Sequence, residues 1–457
     1  MSQLEHGKVG LFTRLEGKQM KSSGKMALYA LLIVIVMPAT ALADAKYDAL
    51  KKKVELLEEQ LKQIKQALKQ QEAKVKKVEK RVVRKTVIVK GVKEEVVTQA
   101  DAKKLEKKVN AASEWKDPNT LIHMSGYADV GYVDGDNKTG SFAVGSFSPI
   151  FHFQYKNLVM LESELEIELE DDGEAKVNLE YLTIDWFIND YAALVAGKYL
   201  SPIGQFRQNI HPSWINKLPS SPPGFGHDGA APVSDTGFQI RGGFPIGKIR
   251  SNYALFIGNG PELIAEWDGS EFEVDGIDAE GKGTDRDDEK VWGARFAILP
   301  ISQLEIGVSA ATGKAKVSSI EDDIGTAPAL FNEQARDYDV IGFDLAWKYR
   351  SVALRGEYVK SEIGSGTSGA TASSGGIWET WYAQASYRIP RTRLEAVVRY
   401  TDFDTPHVSK DQKQWAVGLN YLFASNFIAK IAFESNDGQP GAVSDDDRWF
   451  IQLAYGF

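Results

Sequence analysis

The chain has no cysteine, which removes a disulfide framework, Cys-ligated metal and thiol chemistry together. It also lacks any run of about 20 apolar residues, so no segment reads as a membrane-crossing helix. Its six His show no His-Glu-x-x-His or comparable ligand spacing, and neither a Gly-x-Ser-x-Gly elbow nor a phosphate loop occurs. The sequence therefore gives no reason to expect a catalytic residue, a cofactor or a metal site. The nearest approach to a calcium loop runs from Asp134 to Gly140, but Lys138 stands where an oxygen ligand belongs and Gly145 where the closing Glu should be. It reads as a turn. None of these absences argues against a β-barrel, because membrane strands place lipid-facing residues at every second position and so dilute the average hydropathy.

What is present begins with an address. Lys21 and Lys25 precede the apolar run Met26 to Met37, and Pro38 leads into Ala41-Leu42-Ala43, a small-x-small site for cleavage before Asp44. Residues 1–43 thus read as a signal peptide. Met1 to Gln19 carry Glu5 and Glu16 and do not suit a signal n-region, so translation is expected to start at Met20. From 44 to 112 the composition shifts to Lys, Glu, Gln, Leu and Val. Leu50, Val54, Leu57, Leu61, Ile64, Leu68, Val75 and Val78 step by fours and threes, the seam of a periplasmic coiled coil. The alternative is a solvated spacer. A β-branched stretch from Val82 to Val97 should loosen the helix, and Thr98 with Asp101 resembles a capping box for a short second helix.

From 113 to 457 the pattern becomes strict alternation. At the C-terminus Trp449, Ile451, Leu453, Tyr455 and Phe457 share one face, with Arg448, Gln452 and Gly456 on the other. Such a terminal strand resembles the signal that outer-membrane barrels show to their assembly machinery. Sixteen segments follow this logic. They start at Leu121–Tyr132 and end at Arg448–Phe457, with Phe147–Lys156, Val159–Leu169, Ile249–Gly258 and Gln303–Thr312 among those between. Short turns such as Asn157-Leu158, Phe244 to Gly247 and Ala424-Ser425 take turns with longer polar loops. The expected fold is all-β, a 16-stranded antiparallel transmembrane barrel preceded by the coiled coil, with a phase change near Tyr181 and Leu182 marking a bulge. A soluble β-sandwich is the rival, but it would have no use for the terminal aromatic pattern.

The third loop, Ser201 to Ser234, carries six Pro together with Arg207, His211, Lys217 and His227. Folded inward it would set a constriction; the alternative places it outside against a neighbouring subunit. The stretch LVAGKYLSPIGQF (Leu194 to Phe206), with the signal segment, coiled coil and terminal Phe457, resembles the phosphate-selective porin family. That resemblance implies a trimeric sixteen-stranded channel for passive diffusion, with anion selectivity supplied by pore-lining Arg and Lys.

Charge argues differently. Residues 113–457 hold 29 Lys and Arg against 50 Asp and Glu, a balance of −21, whereas 44–112 hold 20 against 11, a balance of +9. By parity Arg241, Arg250, Arg295, Arg355 and Arg399 point inward, since each strand's opposite face is apolar and a cation at mid-bilayer depth would cost about 2–4 kcal/mol. They either bind anions or pair with inward carboxylates such as Glu305, Glu357 and Glu395. The acidic fourth loop, Glu262 to Glu289, is expected to be solvated and unstructured, with bridging of lipopolysaccharide through divalent cations as the alternative. Expected partners are two further copies of the chain, outer-membrane lipid, lipopolysaccharide and the barrel assembly machinery. Peptidoglycan joins them if the basic coiled coil acts as a cell-wall tether, the rival function. No nucleic acid is expected.

Overall fold

The computed structural model describes residues 120–457 except 137, 138, 171, 228, 268, 323, 324 and 373. The signal segment and coiled coil expected before Ser113 lie outside the described residues. Among the described residues no helix is long and apolar enough to cross a membrane.

Eighteen strands follow in chain order. They are β1 (Thr120–Gly135), β2 (Ser141–Tyr155), β3 (Val159–Leu169), β4 (Ala175–Asn189), β5 (Ala192–Leu200), β6 (Ser234–Ile246), β7 (Ile249–Gly258), β8 (Glu262–Trp267) and β9 (Phe272–Asp278). The second half supplies β10 (Val291–Ile301), β11 (Leu304–Glu321), β12 (Arg336–Tyr349), β13 (Val352–Ile363), β14 (Gly376–Arg388), β15 (Leu394–Asp404), β16 (Gln412–Leu422), β17 (Phe427–Gly438) and β18 (Arg448–Gly456). In the wall each strand pairs antiparallel with the next, and β7 joins β10 directly, Gly258 opposite Val291, so that β8 and β9 stand outside the ring of wall strands. Pairing of β18 with β1, Gly456 opposite Tyr127, closes the ring. The fold is a closed sixteen-strand antiparallel barrel, as the alternation predicts.

Burial along the strands is inverted relative to a water-soluble protein. On β16, Trp415, Val417, Leu419 and Tyr421 are exposed while Gln414, Ala416, Gly418 and Asn420 are buried. On β12, Ile341 and Phe343 face out and Arg336 and Asp344 face in. A soluble sandwich would do the reverse. The last residue helps to close the ring. The Phe457 N–H donates to Gly126 O at 2.9 Å, the Gly126 N–H donates to Phe457 O at 3.0 Å, and the Phe457 ring stacks on Phe147 with centroids 6.0 Å apart.

Connections on one rim are short. The turn between β6 and β7 is tighter than the four residues expected, because β6 runs through to Ile246 and leaves Gly247-Lys248, where Gly247 takes φ +64°. The opposite rim carries the long loops, chiefly the third (201–233) and fourth (259–290). The phase change predicted near Tyr181 is a bulge. Glu164 pairs with Tyr181 and Leu165 with Leu179, leaving Glu180 as the extra residue. Glu180 and Tyr181 are consequently both buried.

Two expectations need correction. The fourth loop is not unstructured: β8 and β9 form a hairpin, and β8 pairs parallel with the end of β11, Lys316 opposite Glu262 through Glu321 opposite Glu266. Its charges conceal an apolar alternation, Leu263, Ala265, Phe272 and Val274, all buried. Partnering β8 is also why β11 continues nine residues past the expected end at Thr312.

Candidate functional site: a loop held in the barrel lumen

The third loop folds into the barrel. Ile203, Phe206, Ile210, Leu218 and Phe225 are nearly inaccessible and pack with inward residues of the far wall, Phe225 lying edge-on to Tyr382 at 5.1 Å. The hydrophobic effect holds the loop much as it would a soluble core. Polar anchors fix its course. Thr380 Oγ1 donates to Pro223 O at 2.8 Å, Ser361 Oγ to Ala230 O at 2.7 Å, and Asn420 Nδ2 to Lys217 O at 2.9 Å. Lys430 Nζ, from β17, donates to the carbonyls of Ser213 and Leu218.

The root of the loop explains the SPIGQF run. Gly204 takes φ +73°, and a Cβ there would lie 2.3 Å from Glu357 Oε2. Without it, that carboxylate oxygen accepts from the N–H groups of Gln205 (2.8 Å) and Phe206 (3.2 Å), while Tyr382 Oη donates to Glu357 Oε1 at 2.6 Å. Gln205 Nε2 donates to Asp344 Oδ1 at 2.8 Å, and Asp344 in turn takes a two-pronged contact from Arg295. Phe206–Ile210 then form one wide helical turn. Glu357 is thus engaged by loop backbone rather than by an inward arginine.

The other sequence-predicted residues fall into place as follows. Arg295 also contacts Glu305 at 3.2 Å. Arg241 meets Asp185 at 2.6 Å and Lys217 meets Glu395 at 2.7 Å. Arg399 donates to Gln414 Oε1 at 2.9 Å and to Ser220 O at 3.1 Å, with Glu434 at 3.9 Å. Arg250 and Arg355 make no ion pair among the described residues. Arg207 is buried, and burial pulls its guanidinium below the ordinary value against the opposing charges of Glu180, Glu166 and Glu280. His211 Nδ1 is hydrogen-bonded to the Arg207 carbonyl, and its Nε2 faces Glu164 at 3.7 Å. Trp449, Ile451, Leu453, Tyr455 and Phe457 lie on the outer face of the closing seam.

One element escaped the sequence reading. Glu162, Glu164, Glu166 and Glu168 alternate along β3 opposite Leu161, Leu165 and Ile167, and the bulge adds Glu180 beside them. The run Glu-Ser-Glu-Leu-Glu-Ile-Glu is an audible period-two signal. This column faces Arg207, His211 and His227 of the loop, and Glu166, Glu180 and His227 bring ligand atoms within 4.8 Å of one another. His227 is also hydrogen-bonded to Glu280 of the fourth loop, which raises its pKa above the ordinary imidazole value. Cavities of about 520 Å³ and 410 Å³ lie to either side: Gln208, Asn209, Arg241 and Arg295 line the first, Glu180, Lys198 and His227 the second.

No family model matches the chain, and no curated protein matches it in sequence. Solved structures with a similar fold include an anion-selective porin from Comamonas acidovorans (13% identity, TM-score 0.49, covering 74% of this chain and 100% of that one). OmpT, an outer membrane protein of Vibrio cholerae, is similar at 10% identity and TM-score 0.49, over 74% and 98% of the two chains. Salmonella typhi OmpF in complex with daunomycin is similar at 13% identity and TM-score 0.46, over 74% and 98%. The functional reading rests on the chain's own geometry.

Proposed function

We propose that the chain is an outer-membrane porin-type channel for passive diffusion of small hydrophilic solutes and ions. The observation that carries this reading is the pairing of an apolar outer face around a closed barrel with a polar lumen narrowed by the third loop. Only a bilayer gives such an outer face a favourable surrounding, and a loop packed into the lumen sets the size of what passes. The chain assembles as a homotrimer, exported behind the cleaved segment 1–43, with 44–112 as a periplasmic coiled coil.

The channel prefers cations modestly at low salt, and the preference weakens as salt rises. Acidic outer loops concentrate cations at the mouth within a Debye length of about 10 Å at 0.1 M, and the β3 carboxylates continue that field inward. Arg241, Arg295 and Arg399 already have acceptors, which leaves them at most a secondary role in binding anions. The test is conductance in planar bilayers with the purified barrel. Stepwise ion conductance with a cation-side reversal potential at 0.1 M salt is the expected result. A folded barrel that never conducts overturns the channel and favours a tether. Strong chloride or phosphate selectivity overturns the charge argument.

A further inference from the structure

At the barrel mouth a second group of ionisable side chains gathers between the fourth loop and the β15–β16 loop. Glu266 of β8, Asp275 of β9 and His407 of the β15–β16 loop bring one ligand atom each within 4.8 Å of the others. Asp275 is only 1% exposed. Its Oδ2 is taken by Lys410 Nζ, but its buried Oδ1 receives no hydrogen bond. That orphaned oxygen lies 3.9 Å from His407 Nε2. The ring's other nitrogen, Nδ1, lies 3.5 Å from Glu273 Oε2. A neutral imidazole carries one N–H; with it on Nδ1, directed at Glu273, the Nε2 lone pair faces Asp275 Oδ1 and the Val274 carbonyl, 2.8 Å away, an array of acceptors with no donor among them.

The charge count sharpens the point. Three carboxylates, Glu266, Glu273 and Asp275, face one ammonium, Lys410, which leaves two negative charges around a buried acceptor with no donor. An unmatched buried acceptor is costly. A dipositive ion would remove both the charge and the orphan. Carboxylate oxygens with one imidazole nitrogen suit first-row divalent metals better than Mg²⁺ or Ca²⁺. Bond lengths of about 2.0–2.2 Å require the donors to close in by roughly 1 Å, an adjustment open to the exposed Glu266 and to His407 on its loop.

We propose that Glu266, Asp275 and His407 form a binding site for a first-row divalent cation at the barrel mouth, fastening the β8–β9 hairpin to the β15–β16 loop. The test is calorimetric titration of the full chain in detergent, without a polyhistidine tag and stripped by chelator, with Zn²⁺ and separately with Ca²⁺. Heat-modifiable electrophoretic migration reports that each variant is folded. Zn²⁺ should bind more tightly than Ca²⁺, and Asp275→Asn and His407→Ala should each weaken it at least about tenfold. All titrations use the His227→Ala background, which removes the separate lumen group as a competing site. The proposal is overturned by absence of Zn²⁺ binding at millimolar concentration, or by binding that survives Asp275→Asn or His407→Ala. His407 belongs to a loop rather than to a wall strand, so that variant decides the matter even if Asp275→Asn fails to fold.

Discussion

Replacing Gly204 with Ala tests whether the third loop is held in the lumen from its root. The φ of +73° places the residue in left-handed space, at a cost to any L side chain of about 1–2 kcal/mol. The new Cβ would sit 2.3 Å from Glu357 Oε2 and displace the carboxylate from the amides of Gln205 and Phe206. Leaving that buried acceptor without one of those bonds costs about 1–3 kcal/mol. Losing one bond together with the backbone cost gives about 3 kcal/mol, roughly a 100-fold change in the ratio of docked to undocked loop. Single-channel recording should show larger mean conductance and more open-channel noise, and thermal unfolding of the variant should begin at lower temperature. Gly226→Ala is the control: it lies in the same loop, has no positive φ, and its added Cβ meets nothing within 4 Å. Unchanged conductance and stability in Gly204→Ala, equal to the control, would refute the anchoring argument.

Three other outcomes are expected. Arg295→Ala leaves Asp344, whose side chain is fully buried, with only Gln205 Nε2 as a partner and should destabilise the barrel by about 3–5 kcal/mol in thermal unfolding, whereas replacing both partners by apolar residues should restore part of it. Wild-type stability in the single variant would sink this. Glu168→Gln removes one carboxylate from the β3 column and should move the zero-current potential toward the anion side at 0.1 M salt; an unmoved potential would show that the column lies off the conducting path. Deleting Phe457 removes both terminal backbone bonds to Gly126 and the stack on Phe147, so heat-modifiable barrel should fall while synthesis persists, and normal yield of folded barrel would count against its role in closure.

Period-two patterning carried the architecture, because a barrel strand between lipid and lumen shows both faces in its text. β3 and β7 have the bounds expected from alternation alone. The same rule reached its limit in the fourth loop, where Glu and Asp outnumber the buried Leu263, Ala265 and Val274 and hide their spacing. Partners were harder to read than directions. Parity places Glu357 inward, but nothing local says that its acceptors will meet the amides of Gln205 and Phe206, some 150 residues away. The β3 carboxylates are legible by the same parity that turns the arginines inward, since Glu162, Glu164, Glu166 and Glu168 fall at every second position. The bulge at Glu180 appears as a phase slip, yet its effect, two consecutive buried side chains, needs the register of β3.

The holders of the third loop have a consequence for the order of assembly. Its contacts with Asp344, Glu357, Lys430 and Glu434 span 139 to 217 residues of chain, and all those partners follow the loop in sequence. Contacts of such separation form after the hairpins between neighbouring strands, because the entropy of closing the intervening chain must be met before they contribute. The β1–β18 seam joins Tyr127 to Gly456, a wider separation still, so the throat is laid down while the wall is open and the ring closes around it. Amide exchange at residues 205 and 206 should gain protection after that of the β12–β13 hairpin and before that of the β1–β18 seam. Protection of the seam ahead of residues 205 and 206 would show instead that the wall closes first and the loop docks into a finished ring.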